Sequence, residues 1–207
     1  MTPRRHLVVF ARAPVLGRVK RRLAQEIGAL AALRFHRLNT ARLLRRLARD
    51  PRWQCWLALT PDRHEAGPRF WRVECRRIAQ GPGDLGWRMA GALSGLPPGP
   101  VVIVGSDIPG VAPRHIAAAF RALGGCDLVF GPAEDGGYWL IGGRGRTLPY
   151  GLFAGVRWST AHALDDTLRN VPRRLRVGFA ATLADVDDGA AYRRWLRRSA
   201  DARAGAA

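Results

Sequence analysis

The sequence predicts an α/β domain with a central, mostly parallel sheet flanked by helices. Three observations carry that expectation. Apolar strand-like runs alternate with amphipathic helical stretches along the chain, the order that builds parallel sheets. The run Val101-Val102-Ile103-Val104 is β-branched throughout with no polar alternation, so it reads as a strand buried on both faces in mid-sheet. It stops at Gly105-Ser106-Asp107-Ile108-Pro109, where Pro109 forbids the ladder from continuing. A carboxylate at that point faces the crevice in which open α/β sheets bind ligands. Capping of the next turn is the other use of an aspartate there.

The elements follow in order. His6 to Ala11 is a short buried strand, and Arg12 to Val19 a loop broken by Pro14 and Gly17. From about Lys20 the pattern is helical, with Leu23 and Ile27 on one face. After Gly28, leucines 30, 33, 38, 44 and 47 continue an amphipathic stretch to Asp50-Pro51. Trp53 to Leu59 is a second strand, residues 65–72 have no clear pattern, and Val73 to Ile78 reads as a third strand. Trp87 to Leu93 is helical, as is Ile116 to Leu123. Asp127 to Phe130 and Tyr138 to Ile141 are strands around the turn 131–137. Thr160 to Leu168 reads as helix and Leu175 to Phe179 as a late strand. A final helix runs to about Arg197. The expected domain is residues 1–200, with 201–207 a disordered tail.

A chain of 207 residues with 47% hydrophobic content suits one globular domain. No run is as long as a membrane span, and the N-terminus lacks a signal peptide's apolar core. The three cysteines, Cys55, Cys75 and Cys126, have no metal-ligand spacing and read as buried thiols, which points to the cytoplasm. The net charge of +18 invites a nucleic-acid partner. The arginines are nevertheless spread through nearly every segment, with no zinc-finger spacing or RNA-recognition strand. Among 34 basic residues only Lys20 is a lysine. The charge favours polyanions such as nucleotides and names none; oligomeric state is not legible.

The first loop joins a buried strand to a helix start, with Gly17, Arg18, Lys20, Arg21 and Arg22 at the junction. Free amides and the positive helix end suit that geometry to phosphate. It is neither a Walker loop nor a dinucleotide fingerprint. A merely solvent-facing basic turn would be odd there, because cations at a helix N-terminus are mildly unfavourable. The 16 acidic residues are scarce enough for placement to inform. Asp107, the Glu134-Asp135 pair and Asp185/Asp187/Asp188 each follow a strand-like run. Two such carboxylates converging at strand ends can hold Mg²⁺, whose shell water and phosphate oxygens complete. Helix capping is the alternative for Asp185–Asp188, and a tight Asp-Gly hairpin turn for Asp135-Gly136. The five histidines share no spacing and read as incidental. Ser106 lacks a nucleophile elbow.

Taken together, Phe10-Ala11-Arg12-Ala13-Pro14…Gly17-Arg18-Val19-Lys20-Arg21-Arg22-Leu23, Gly83-Asp84-Leu85-Gly86-Trp87-Arg88-Met89, Gly105-Ser106-Asp107-Ile108-Pro109, Gly131-Pro132-Ala133-Glu134-Asp135-Gly136-Gly137-Tyr138 and Trp158-Ser159-Thr160 resemble one group. It is the radical-SAM/selenodomain-associated transferase family, a branch of the GT-A, nucleotide-diphospho-sugar transferase superfamily. The resemblance implies a single Rossmann-like GT-A domain, a nucleotide donor across the first loop (Ala11, Arg12, Gly17), Lys20 and Arg22 as donor-phosphate contacts, and base recognition in the Gly81–Met89 stretch (Gly83, Leu85, Gly86). It implies Mg²⁺ or Mn²⁺ on Asp107, with Asp187 as second ligand and Asp185 the near alternative. Two positions depart from the family's pattern. Its Lys-Thr-Arg-Leu is here Lys20-Arg21-Arg22-Leu23, and the Lys two residues before the loop's proline is Arg12.

The expected activity is transfer from a nucleotide-activated donor to a small-molecule acceptor, by glycosyl transfer, with Lys20 on the departing diphosphate and Asp135 or Glu134 on the acceptor hydroxyl. Nucleotidyl transfer to a phosphorylated acceptor, releasing pyrophosphate, is the second reading. A non-catalytic nucleic-acid-binding protein on the same fold is the third.

Overall fold

A computed structural model of the chain describes residues 4–64, 70–145 and 148–204. Seven strands form one sheet in the order β3-β2-β1-β4-β6-β5-β7: β1 (His6–Arg12), β2 (Gln54–Thr60), β3 (Arg76–Ala79), β4 (Val101–Gly105), β5 (Leu128–Pro132), β6 (Tyr138–Gly143) and β7 (Val177–Phe179). The helices are α1 (Arg21–Ile27), α2 (Ala29–Ala48), α3 (Leu85–Gly95), α4 (Pro113–Ala122), α5 (Ala163–Arg169) and α6 (Gly189–Ala204).

Period-2 alternation builds the layers. On β1, Leu7, Val9 and Ala11 join Val102 and Val104 of β4 against Leu43, Leu44 and Leu47 of α2 and Ile116 and Phe120 of α4. Val8 and Phe10 join Val101 and Ile103 on the opposite face, against Met89 and Leu93 of α3. Burying each large aliphatic side chain contributes about 1.5–3 kcal/mol, so the two middle strands and their exits are held firmly.

The sheet is parallel except for β6, which runs antiparallel to both β4 and β5. The all-apolar β4 is therefore parallel to β1 on one side only. The Asp-Gly turn does join two antiparallel neighbours, β5 and β6, with a register shift at Gly131/Pro132. Strand direction puts the exits of β1, β4 and β5 and the entry of β6 on one edge. Between β1 and β4 the order changes direction, because β2 follows on one side and β4 on the other. That is the switch point at which such sheets bind ligands.

Some boundaries move for local reasons. Val73 closes a turn onto Trp71 (N–H to carbonyl oxygen, 3.0 Å), so β3 starts at Arg76. Thr160 accepts the His162 N–H (3.2 Å) and donates to the Arg157 carbonyl (2.7 Å); this hydroxyl turn delays α5 to Ala163. The last helix runs to Ala204, beyond Arg197 and into the predicted tail. Residues 65–69, within the stretch without clear pattern, and 205–207 lie outside the described residues. The cysteines are unpaired, and burial pushes the Cys55 thiol up to about 12. Among the described residues no helix is long and apolar enough to cross a membrane.

Candidate active site

Three separate segments meet at the switch point. The loop after β1 ends at Lys20, β4 runs out into Asp107, and the segment before α6 supplies Asp187. Lys20 Nζ lies 3.0 Å from Asp107 Oδ1 and 2.6 Å from Asp187 Oδ1. The lysine side chain is 4% exposed, whereas the carboxylates are 47% and 49% exposed. Burial works against the ammonium, but the two carboxylates outweigh it and hold the Lys20 pKa above its ordinary value. Burial likewise pushes Asp107 up, and Lys20, His36 and Arg12 together pull it below the usual carboxylate range.

Backbone and buried polar contacts fix this meeting. The Ser106 N–H donates to the Phe10 carbonyl (3.1 Å), and Asn39 Nδ2 donates to the Ser106 carbonyl (2.7 Å). His36 Nε2 is 2.9 Å from the Arg12 carbonyl, and Gln80 Nε2 donates to the Ala11 and Ala58 carbonyls. The 183–187 segment is laced across the sheet edge. Leu183 N–H donates to the Pro132 carbonyl (3.1 Å) and Val186 N–H to the Asp107 carbonyl (3.3 Å). Behind it, Phe35 of α2 stacks edge-on against Tyr192 and Trp195 of α6, and Glu26 accepts the Gly189 N–H (2.8 Å).

The three late aspartates divide their roles. Asp188 caps α6 by accepting the Ala191 N–H (2.7 Å). Asp187 grips Lys20. Asp185 lines a neighbouring cavity, where burial first, and then the negative charges of Asp187 and Asp135, push its carboxyl up to about 6.

Two cavities share this junction. The larger, ≈ 660 Å³, has basic walls: Arg12, Arg18, Lys20, Arg21, Arg22 and Arg88, with His36, Gly83, Leu85 and Asp187. The smaller, ≈ 230 Å³, is walled by Phe10, Met89, Ile103, Tyr138, Leu140, Ile141 and Trp158, with Asp135 and Asp185. Phe10, Leu85, Gly105, Asp107, Asp135, Trp158 and Ser159 face both. Among the described residues, the two non-glycines with left-handed backbone are Lys20 (φ 48) and Ser159 (φ 61), and both line the basic cavity. An L-residue there costs about 1–2 kcal/mol, and backbone strain of this kind concentrates at functional sites.

Asp135 combines turn and site. Its Oδ1 accepts the Gly137 N–H (2.9 Å) while the side chain faces both cavities. Gly136 (φ 84) is required, since a Cβ would strike the Ala161 carbonyl. Opposite, Trp158 is set by its neighbour Arg157, whose Nε and Nη2 donate to the buried Asp166 at 2.8 and 2.9 Å. Gly86 permits that wall, because a Cβ would lie 2.9 Å from Trp158 Cζ2 and 2.6 Å from Phe153 Cβ.

Of the residues expected from sequence, Ala11, Arg12, Lys20, Arg22, Gly83 and Leu85 thus line the basic cavity, together with Asp107, Asp135 and Asp187. Gly17 instead makes an exposed left-handed turn (φ 72) outside the cavity walls, and Gly86 serves packing. Glu134 is exposed and lines neither cavity; its N–H donates to the Leu183 carbonyl (3.3 Å). From sequence, His36 reads as incidental and Trp158 carries no role, whereas Arg88 lies in the Gly81–Met89 stretch for which the resemblance implies base recognition. His36 sits on the helical stripe with Phe35, Asn39 and Leu43, a pattern that also describes core, and only the fold brings it beneath Arg12.

Asp107 and Asp187 fit a divalent cation. Both are hard oxygen donors, and both already converge on one positive charge, the Lys20 ammonium. No cluster of three or more His, Cys, Asp or Glu side chains that could cage a metal occurs among the described residues. Mg²⁺ is commonly held by one or two carboxylates, with water and substrate phosphate oxygens completing its shell.

Residues 43–160 match the model of DUF2064, described as an uncharacterized protein conserved in bacteria. This chain belongs to the DUF2064 family. A crystal structure from Desulfovibrio desulfuricans G20, provisionally described as a nucleotide-diphospho-sugar transferase, is 31% identical, covering 91% of this chain and 84% of that one, with a TM-score of 0.81. CMP:2-keto-3-deoxy-manno-octonic acid synthetase, complexed with CTP, shares the fold at 12% identity over 96% and 99% of the two chains (TM-score 0.62). So does Rv0371c of Mycobacterium tuberculosis H37Rv, complexed with manganese, at 21% identity over 95% and 100% (TM-score 0.52). No curated protein matches. The DUF2064 chain therefore has the fold of the nucleotide-diphospho-sugar transferases, as the motifs led one to expect. None of these matches names a radical-SAM or selenodomain association.

Proposed function

We propose that this DUF2064 protein is a cytoplasmic, Mg²⁺- or Mn²⁺-dependent glycosyltransferase, of the radical-SAM/selenodomain-associated branch, which moves a sugar from a nucleotide-sugar donor to a small-molecule hydroxyl. The observation that carries this is the pair Asp107 and Asp187, closed on the Lys20 ammonium where a basic cavity meets an apolar, acidic one. The donor's diphosphate takes the basic side, against Lys20, Arg22 and Arg12, with the base toward Gly83, Leu85 and Arg88. Asp107 and Asp187 hold the metal, which when bound neutralises the departing diphosphate. Asp135 holds the acceptor hydroxyl. Its Oδ1 is occupied by the Gly137 N–H, so Oδ2 takes the proton. The acceptor oxygen then bonds to the anomeric carbon, and the bond from that carbon to the diphosphate breaks. Its electron pair leaves on the nucleoside diphosphate, facing Lys20 and Arg22.

The basic walls of the same cavity suit a nucleoside triphosphate by charge, which keeps nucleotidyl transfer as the second reading; pyrophosphate in place of nucleoside diphosphate as product would establish it. Thermal-shift titration of nucleotide sugars and nucleotides with Mg²⁺ or Mn²⁺ is the direct test. A ligand at 100 times its Kd adds about 2.7 kcal/mol of stability. Asp107→Asn should fold and weaken metal-dependent donor binding by at least about 100-fold, the upper range for disturbing a metal ligand's support. Donor binding indifferent to metal and to Asp107→Asn would refute the assignment. Steeply salt-dependent RNA or DNA binding without nucleotide binding would favour the nucleic-acid reading.

A further inference from the structure

The two cavities differ in charge as well as in size: the larger balances Asp84, Asp107, Asp135 and Asp187 with six lysine and arginine side chains, and the smaller has no such balance. In a chain of net charge +18, the smaller cavity has no arginine, lysine or histidine among its lining residues, yet it carries Asp107, Asp135 and Asp185. With Asp107 committed to the cation, Asp135 and Asp185 still place two carboxylates at one apolar chamber. Ionised carboxylates only accept hydrogen bonds, so they receive hydroxyl or amine donors and repel phosphate or carboxylate. The rest of the wall is ring and aliphatic surface: Tyr138 and Trp158 lie edge to face (6.3 Å between centroids), with Phe130 behind Tyr138 at 5.4 Å. Such faces stack on the apolar side of a ring. At ≈ 230 Å³ the chamber falls below the about 300–1,000 Å³ of sites for drug-sized ligands, which limits it to a single ring.

We propose that this chamber seats a neutral, hydroxyl-bearing ring of the acceptor against Tyr138 and Trp158, and rejects acceptors whose ring carries phosphate or carboxylate. This rests on the glycosyl-transfer reading and specifies its acceptor, and it runs against transfer to a phosphorylated partner.

The test uses the whole ¹⁵N-labelled protein in chelator, so that no divalent cation at Asp107 attracts the anions, titrated separately with cyclohexane-1,2-diol, benzyl alcohol, benzyl phosphate and benzoate. Binding in the chamber is read at the amides of Gly137 and Tyr138, and binding in the basic cavity at those of Arg21 and Arg22. The expected result is that the neutral alcohols shift Gly137 and Tyr138 with at least tenfold lower Kd than benzyl phosphate or benzoate. In Asp135→Asn/Asp185→Asn the preference should shrink by about tenfold. Anions binding at Gly137 and Tyr138 as tightly as the alcohols, or no alcohol binding there, overturns the proposal. A parallel titration with UDP, GDP, CDP and ADP, read at Arg21 and Arg22, tests the donor assignment by itself. Its failure would strike the donor reading, and failure of the alcohol series would strike only the acceptor.

Discussion

Lys20→Met tests the junction most directly. The methionine keeps a slim unbranched stem in a site 4% exposed, but removes the ammonium lying 3.0 and 2.6 Å from Asp107 and Asp187. Both carboxylates are about half open to water, so each contact is taken near about 1 kcal/mol, the upper end for exposed pairs and well below the 3–5 of a broken buried one. Together they are worth about 2 kcal/mol. That stabilisation is lost from the metal-free variant, and the freed carboxylates become available to a cation with no ammonium competing. Without donor, Mn²⁺ should bind Lys20→Met about 30-fold more tightly than wild type, the same 2 kcal/mol expressed as affinity. Calorimetric Mn²⁺ titration with urea unfolding in chelator reads both terms. Donor affinity should fall despite tighter metal, because the diphosphate loses its lysine. Lys20→Arg should fold yet lose most donor binding, since a guanidinium fork replaces a compact charge in a packed slot. Metal affinity unchanged or weakened in Lys20→Met would refute the view that ammonium and metal share one seat.

Other consequences are more local. Asp135→Asn keeps an acceptor for the Gly137 N–H but not a base, so turnover should drop by about 10²–10⁴-fold with donor affinity nearly unchanged; steady-state kinetics separates the two. Gly136→Ala forces a left-handed alanine against the Ala161 carbonyl and should cost at least about 2 kcal/mol in urea unfolding. Asp166 is held well below the usual carboxylate range, chiefly by the Arg157 hydrogen bonds and then by the Arg157 and Arg169 charges. A depressed folded-state pKa gives stability that is present above the unfolded value of about 4 and fades as pH falls below it. Asp166→Asn should therefore be less stable at neutral pH and lose less on acidification from pH 5 to 2, followed by circular dichroism.

Much of this site is legible along the chain because its evidence is local. The β-branched run ending in Gly-Ser-Asp announces a strand exit, and a solitary lysine among arginines marks the loop after β1. An Asp-Gly-Gly between apolar runs marks a hairpin. Each depends only on backbone preferences and burial of neighbouring residues, which sequence order carries. Tertiary structure decided the rest. The hairpin makes β6 antiparallel to β5, but nothing in the apolar runs told that β6 inserts beside β4 and pairs antiparallel with it, because an apolar run buries equally well in either direction. Asp185, Asp187 and Asp188 are alike in sequence, and they are told apart by backbone bonds from Leu183 to the end of β5 and from Val186 to the loop after β4, both more than fifty residues away. Those bonds, with the packing of α6 on Phe35, turn one aspartate to Lys20, one into the acidic chamber and one onto its own helix. His36 and Trp158 are cavity walls for the same reason. Their own segments would form without the cavity, and only the assembled sheet edge places a ligand-sized space beside them.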